Sequence, residues 1–161
     1  MCAILFFDML ELPHTIIGAT IATKIPNPLI SIPLAFLSHI LLDLAPHWNP
    51  SLYTETKKYG KPTKKSTKLV ILDTSLSLIF GFFLASRVLP NVNHALSIIL
   101  ACFAAVALDV IEGFYFFLGI RTQFLENLIK FQRRLQWRLP LVPGLAIQGI
   151  VIILALLVIF T

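Results

Sequence analysis

The chain has 161 residues, 57% of them hydrophobic and 13% charged, with a mean hydropathy of +0.86. Soluble domains are roughly half apolar and about one quarter charged, so the composition excludes an ordinary soluble domain and predicts an integral membrane protein. The net charge of +5 could suit nucleic acid, but the placement of the basic residues argues otherwise, as shown below.

Residues 1–23 begin "MCAILFFDMLELPH", with no basic leader and with Asp8 and Glu11 inside the apolar run. We read them as a retained membrane segment and not as a cleaved signal peptide. Pro13 suits the first turn of a helix, which puts His14 at its opening, and Gly18 one turn later allows close helix contact on the same face. Residues 28–45 form a second, shorter apolar segment that ends in "SHILLDLAPHWN". Here His39 and Asp43 are an i, i+4 pair, roughly 5 to 6 Å apart on one helix face. His47 lies about 12 Å further along a straight helix axis. Pro46 disfavours helical geometry at Ala45, so His47 can fold back towards Asp43, serve a second ion or meet a substrate.

A basic loop follows over residues 48–68, with Lys57, Lys58, Lys61, Lys64, Lys65 and Lys68. Residues 69–89 and 95–120 are apolar runs near or above the roughly 17 to 25 residues that cross a bilayer, and the turn between them carries His94, read as a solvated loop histidine. In residues 121–138, Phe124, Leu128, Phe131 and Leu135 make one helical stripe, with Arg121, Lys130, Arg133 and Arg134 largely off it. This predicts an amphipathic helix lying on the inner leaflet, anchored by Trp137 and drawn to anionic lipid head groups. Residues 144–160 are the last apolar run.

All the lysines and arginines except Lys24 and Arg87 fall in those two basic stretches, which short-loop charge bias puts on the cytoplasmic side. The expected architecture is an all-α polytopic bundle in the cytoplasmic membrane. It has a single domain of five membrane segments plus one interfacial helix, N-terminus in and C-terminus out. Lysines lying between spans, with no aromatic interleaving beyond Tyr53 and Tyr59, argue against nucleic acid. Cys2 and Cys102 have no ligand spacing and read as small buried hydrophobes.

Six carboxylates, those of Asp8, Glu11, Asp43, Asp73, Asp109 and Glu112, are embedded in apolar sequence. At roughly 3 kcal/mol apiece in mid-membrane they must be shallow, paired, protonated or bound to a cation. The topology collects His14, His39, Asp43, His47, Asp73, Asp109 and Glu112 in one layer near the inner face. Neutral imidazole plus carboxylate suits a divalent ion, zinc first, with manganese or iron acceptable. His14, His39 and Asp43 are the preferred ligands, joined by His47 if it folds back. Asp109 is a fourth ligand or a base, and Glu112 and Asp73 are supporting groups or alternative bases.

The stretches "HTIIGA", "SHILLDLAPHW" and "ALDVIEG" resemble the predicted membrane-bound metal-dependent hydrolases of bacteria and archaea. More distantly, His39, Asp43 and His47 are similar to the HxxxD and following histidine of zinc-dependent phospholipase C. The resemblance covers roughly a third of the chain and implies a metal site and hydrolysis of a phosphoester or a lipid-linked substrate. The competing reading is a non-enzymatic membrane protein whose buried His/Asp cluster binds a structural metal, conducts ions or holds helices together.

Overall fold

The computed structural model describes residues 9–161; Cys2, Asp8 and the start of the first segment lie outside them. The described residues form seven helices and no strand: α1 (Glu11–Lys24), α2 (Pro28–Asp43), α3 (Leu52–Tyr59), α4 (Lys64–Ser86), α5 (Val92–Phe117), α6 (Gln123–Leu135) and α7 (Leu141–Phe160). Their starts are written locally. The Asn27 side chain accepts from Leu29 N ahead of α2, with Pro28 in the first turn. Thr63, Asn91 and Thr122 cap α4, α5 and α6 in the same way.

α5 is the hub, with α1, α2 and α4 packed on it and α6 and α3 touching it. The α1–α5 contact is made by small residues, Gly18, Ala19 and Ala22 against Ile98, Ala101 and Ala105, all buried. A Cβ added at Gly18 would stand 2.7 Å from the Ala101 carbonyl oxygen, so the glycine fixes how closely these helices approach. α7 packs on α1. Its first turns also meet the loop after α2: a Cβ on Gly144 would stand 2.5 Å from the Trp48 backbone nitrogen, and Gln148 Nε2 donates to Trp48 O at 2.7 Å.

The distribution of polarity is inside out. Leu72, Ile79 and Phe82 on α4 and Val142, Ile153 and Leu157 on α7 are exposed, whereas Thr15, Ser31, His39, Ser77, Ser97 and Gln148 are buried. A chain in water would reverse this, because large continuous exposed apolar surface is rare on soluble monomers. Three helices, α4, α5 and α7, are long and apolar enough to cross a membrane, fewer than the five segments expected from the sequence. α2 is apolar but has only 16 residues, and the described part of the first segment is the 14-residue α1. At about 1.5 Å per residue these measure roughly 24 and 21 Å, short of a hydrocarbon core of about 30 Å. Pro26, Pro28 and Pro46 bound α2 at its two ends and limit its length.

Other expectations need correction. The basic loop contains α3, closed by Gly60 in the left-handed region at φ +80°. Glu55 of α3 accepts from Thr63 N at 2.7 Å and Ser66 Oγ at 2.8 Å, holding α3 against the start of α4, which already includes Lys64, Lys65 and Lys68. On α6 the expected stripe stays outside the bundle, with Phe124 and Phe131 exposed, while Leu125, Ile129 and Gln132 are buried. The apolar arc is wider than one stripe, and the half displaced by one residue faces the bundle. His94 is no loop residue: it lies in the first turn of α5, half-buried, with Nε2 at 3.0 Å from Ala22 O near the C-terminus of α1.

Candidate metal centre

Three helices bring the preferred residues together. α1 delivers His14 from its first turn, α2 supplies His39 and Asp43 one turn apart, and α5 contributes Asp109. His14 Nε2 lies 3.5 Å from Asp43 Oδ1, His39 Nε2 lies 3.5 Å from Asp43 Oδ2, and His39 Nε2 lies 3.7 Å from Asp109 Oδ1. The two imidazoles stack with ring centroids 4.3 Å apart. His14, His39 and Asp109 each offer one ligand atom within 4.8 Å of the others, so this trio could hold an ion, and Asp43 reaches both rings through different oxygens.

His39 is held in a defined state. Its Nδ1 sits 2.8 Å from the Ala105 carbonyl oxygen, an acceptor only, so Nδ1 carries the proton and Nε2 turns its lone pair to the carboxylates. A carbonyl has two lone pairs, so Ala105 O accepts this bond without leaving the α5 helix. The tautomer is the one a metal-ligating imidazole needs. Gln132 Nε2, from α6, lies 3.2 Å from the same His39 Nε2 and donates to it. By contrast, His14 and Asp43, both almost fully buried, are held by their long mutual contact and by His39, with no shorter hydrogen bond to any other described residue.

The other expected site residues sit around this core. Asp73 accepts from Glu11 N at 2.6 Å and Leu12 N at 3.3 Å. It therefore caps the N-terminus of α1 from α4, where no side chain of α1's own N-cap residue, Leu10, does so. Glu112, one turn beyond Asp109 on α5, is buried, and both line a pocket of about 210 Å³ in which Glu11, Asp73 and Asn49 meet apolar side chains such as Leu52, Val70 and Phe116. His47 is also buried; its Nδ1 lies 2.7 Å from Ala45 O, and its ring remains within electrostatic reach of Asp43. Its backbone bonds to the segment after α6, His47 N to Trp137 O at 3.0 Å and Leu139 N to His47 O at 2.9 Å. His47 thus closes the α2 end of the site and ties α6 to it.

Gln132 is the residue that sequence reasoning missed. The available signal was a polar side chain in register with Leu125 and Ile129, seven and three residues earlier, on a face that must be buried. Asn49, buried with Oδ1 unpartnered among the described residues, was missed for want of any helical register.

Comparison of the chain with protein-family models, with curated proteins and with solved structures finds no match.

Proposed function

We propose that this chain is a membrane-embedded, metal-dependent hydrolase of a phosphoester or other lipid-linked substrate, working at the cytoplasmic leaflet. Zinc is the ion that two neutral imidazoles and carboxylates suit best, with His14, His39, Asp43 and Asp109 as its holders. The single observation that carries the reading is the spacing of those groups. Donors at about 2.0 to 2.2 Å around a tetrahedral ion are roughly 3.3 to 3.6 Å from one another. The two contacts of 3.5 Å fall in that range and the 3.7 Å contact is just beyond it, all three too long for good hydrogen bonds, and the donor atoms of His14, His39 and Asp109 lie within 4.8 Å of one another. A buried imidazole and a buried carboxylate held only by such long contacts are costly unless something cationic completes them.

When bound, such an ion lowers the pKa of a coordinated water towards about 7 and polarises a phosphoryl oxygen. The chain's own residues do the rest. Ala105 O keeps the His39 proton on Nδ1 and so presents Nε2. Asp109 belongs to both the cluster and the pocket wall, and it serves either as a fourth ligand or, with His14, His39 and Asp43 holding the ion, as the base that takes a proton from an attacking water. Glu112 supports it from the next turn, and Asp73 acts on the site by holding α1 in place. In the same reading, five segments lie in the cytoplasmic membrane, α1 and α2 as short ones, with the N-terminus in and the C-terminus out. The exposed Phe124, Phe131 and Trp137 rest on the inner leaflet, near anionic head groups.

The test is metal analysis of detergent-purified protein together with release of phosphate or head groups from mixed lipids. Stoichiometric zinc and chelator-sensitive turnover are expected, and His39→Ala and Asp43→Ala should each lose the metal while still eluting as folded protein. Full metal content in both variants removes the assignment of this pair. Metal without turnover leaves the ion a structural one.

A further inference from the structure

The pocket beside Asp109 does not stand alone. A second cavity of about 380 Å³ runs between α4 and α5, floored by α1, and its lining is largely apolar: Leu78, Phe82, Leu100 and Phe103, with Gly81 and Cys102 towards the end far from Glu11. Glu11, Thr74 and Val110 line both spaces, so the two adjoin. One is rimmed by four carboxyl groups, those of Glu11, Asp73, Asp109 and Glu112, with no lysine, arginine or histidine among its lining residues. The other is apolar except for Glu11, at the shared end, and Thr15, Thr74 and Ser77.

The dimensions fit one kind of occupant. From Thr74 to Phe82 the groove follows α4 for about 12 Å, and from Val110 to Ile99 it follows α5 for about 16 Å, at roughly 1.5 Å per residue. Half of a hydrocarbon core of about 30 Å is about 15 Å, the depth of one leaflet. α4 and α5 are two of the helices long enough to cross that core. A groove open between them, apolar along its length and polar at one end, is shaped for a molecule divided in the same way.

We infer that the groove between α4 and α5 holds the acyl chain of a membrane phospholipid whose head group lies in the adjoining acidic pocket, and that this head group bears an amine. The inference rests on the hydrolase reading and deepens it by naming the substrate class. The carboxyl-rich pocket attracts an ammonium group and disfavours a second anionic group next to the phosphoester. Gly81 sets the usable width of the groove. A Cβ there finds Thr15 Cγ2 at 3.5 Å and Cys102 Sγ at 3.6 Å, ordinary contact distances, so a methyl is accommodated, but a larger side chain fills the space the chain would occupy.

The experiment uses the full chain in nanodiscs containing phosphatidylethanolamine or phosphatidylglycerol analogues, each with a photoactivatable diazirine in mid-chain. After irradiation the adducts are mapped by mass spectrometry, and zinc is measured on the same samples. Adducts of the ethanolamine analogue should concentrate on Ser77 to Phe82 and Ile99 to Val106, about tenfold over the exposed face of α7 around Leu157. Gly81→Leu should reduce them about tenfold, Gly81→Ala should not, and both should keep their zinc. Because Gly81→Leu can disturb packing, Ser77→Leu, at another point of the same wall, serves as a second block. Adducts spread evenly over α4, α5 and α7, or adducts indifferent to both blocking variants, overturn the groove. Equal labelling by the two analogues overturns the amine-bearing head group. Zinc and turnover persisting with even labelling would sink the groove alone; focused labelling on protein that binds no zinc would sink the hydrolase reading alone.

Discussion

The imidazole rings of His14 and His39 lie face to face, 4.3 Å between centroids and 25° from parallel, although they belong to different helices. Stacking occupies the ring faces and leaves the ring edges to meet polar groups. The two Nε2 atoms converge on opposite oxygens of the same Asp43 carboxylate. Polar atoms from α1 and α2 thus meet at one buried point, which Asp109 of α5 also reaches through His39.

Replacing His14 by Phe separates ligation from packing. His14→Phe retains an aromatic ring against His39 and removes the Nε2 that reaches Asp43. Zinc affinity should fall by at least about 100-fold, since even outer-shell changes cost about 10 to 100-fold. The apoprotein should lose some stability, because the buried Asp43 carboxylate loses its contact with His14. Thermal unfolding with and without added zinc checks both halves: the zinc-dependent rise in Tm should vanish in the variant.

Asp73 is predicted to act on stability more than on chemistry. Asp73→Ala strips two backbone donors at the start of α1 of their acceptor and should destabilise the protein by about 2 kcal/mol. Asp73→Asn, which keeps one side-chain oxygen as acceptor, should cost less than about 1 kcal/mol. Denaturant unfolding in micelles measures the difference. A variant with unchanged stability but abolished turnover would instead make Asp73 the base.

Gly18 couples packing to the site. In Gly18→Ala the new Cβ would crowd the Ala101 carbonyl at 2.7 Å and Ala105 Cβ at 2.9 Å, so α1 must move away from α5. His14 is one turn earlier on α1, and His39 hangs on Ala105 O, so the ligands separate. We expect roughly a tenfold loss of zinc affinity, about 1.4 kcal/mol, along with lower stability. Gly149→Ala, where a Cβ would meet nothing within 4 Å, is the matched control and should be silent by titration calorimetry.

Sidedness is open to labelling. Lys65 is exposed at the start of the 23-residue α4, which is about 34 Å long at roughly 1.5 Å per residue, and Asn93 is exposed in the first turn of α5, just beyond the turn at the other end of α4. In a Cys2→Ser background, with Cys102 buried, a membrane-impermeant maleimide added outside intact cells should label Asn93→Cys and spare Lys65→Cys until the cells are opened. The reverse pattern would move the whole polar layer to the other leaflet.

Sequence alone determined the helical class, the apolar outer surface and the pairing of His39 with Asp43, because rise and turn within one helix are fixed by backbone geometry. It also marked His14, Asp109 and Gly18, since polar or very small residues in an apolar run demand a partner. Tertiary structure alone decided which carboxylate does what: Asp43 and Asp109 face the imidazoles, while Asp73 turns to the backbone of α1. It also decided that α6 presents Gln132 to His39 and leaves Phe124 and Phe131 outside. Those outcomes depend on how each helix is rotated and how deep it sits against its neighbours. That is set by close-packed contacts between distant residues, such as Gly18 on Ala101, which no local spacing encodes.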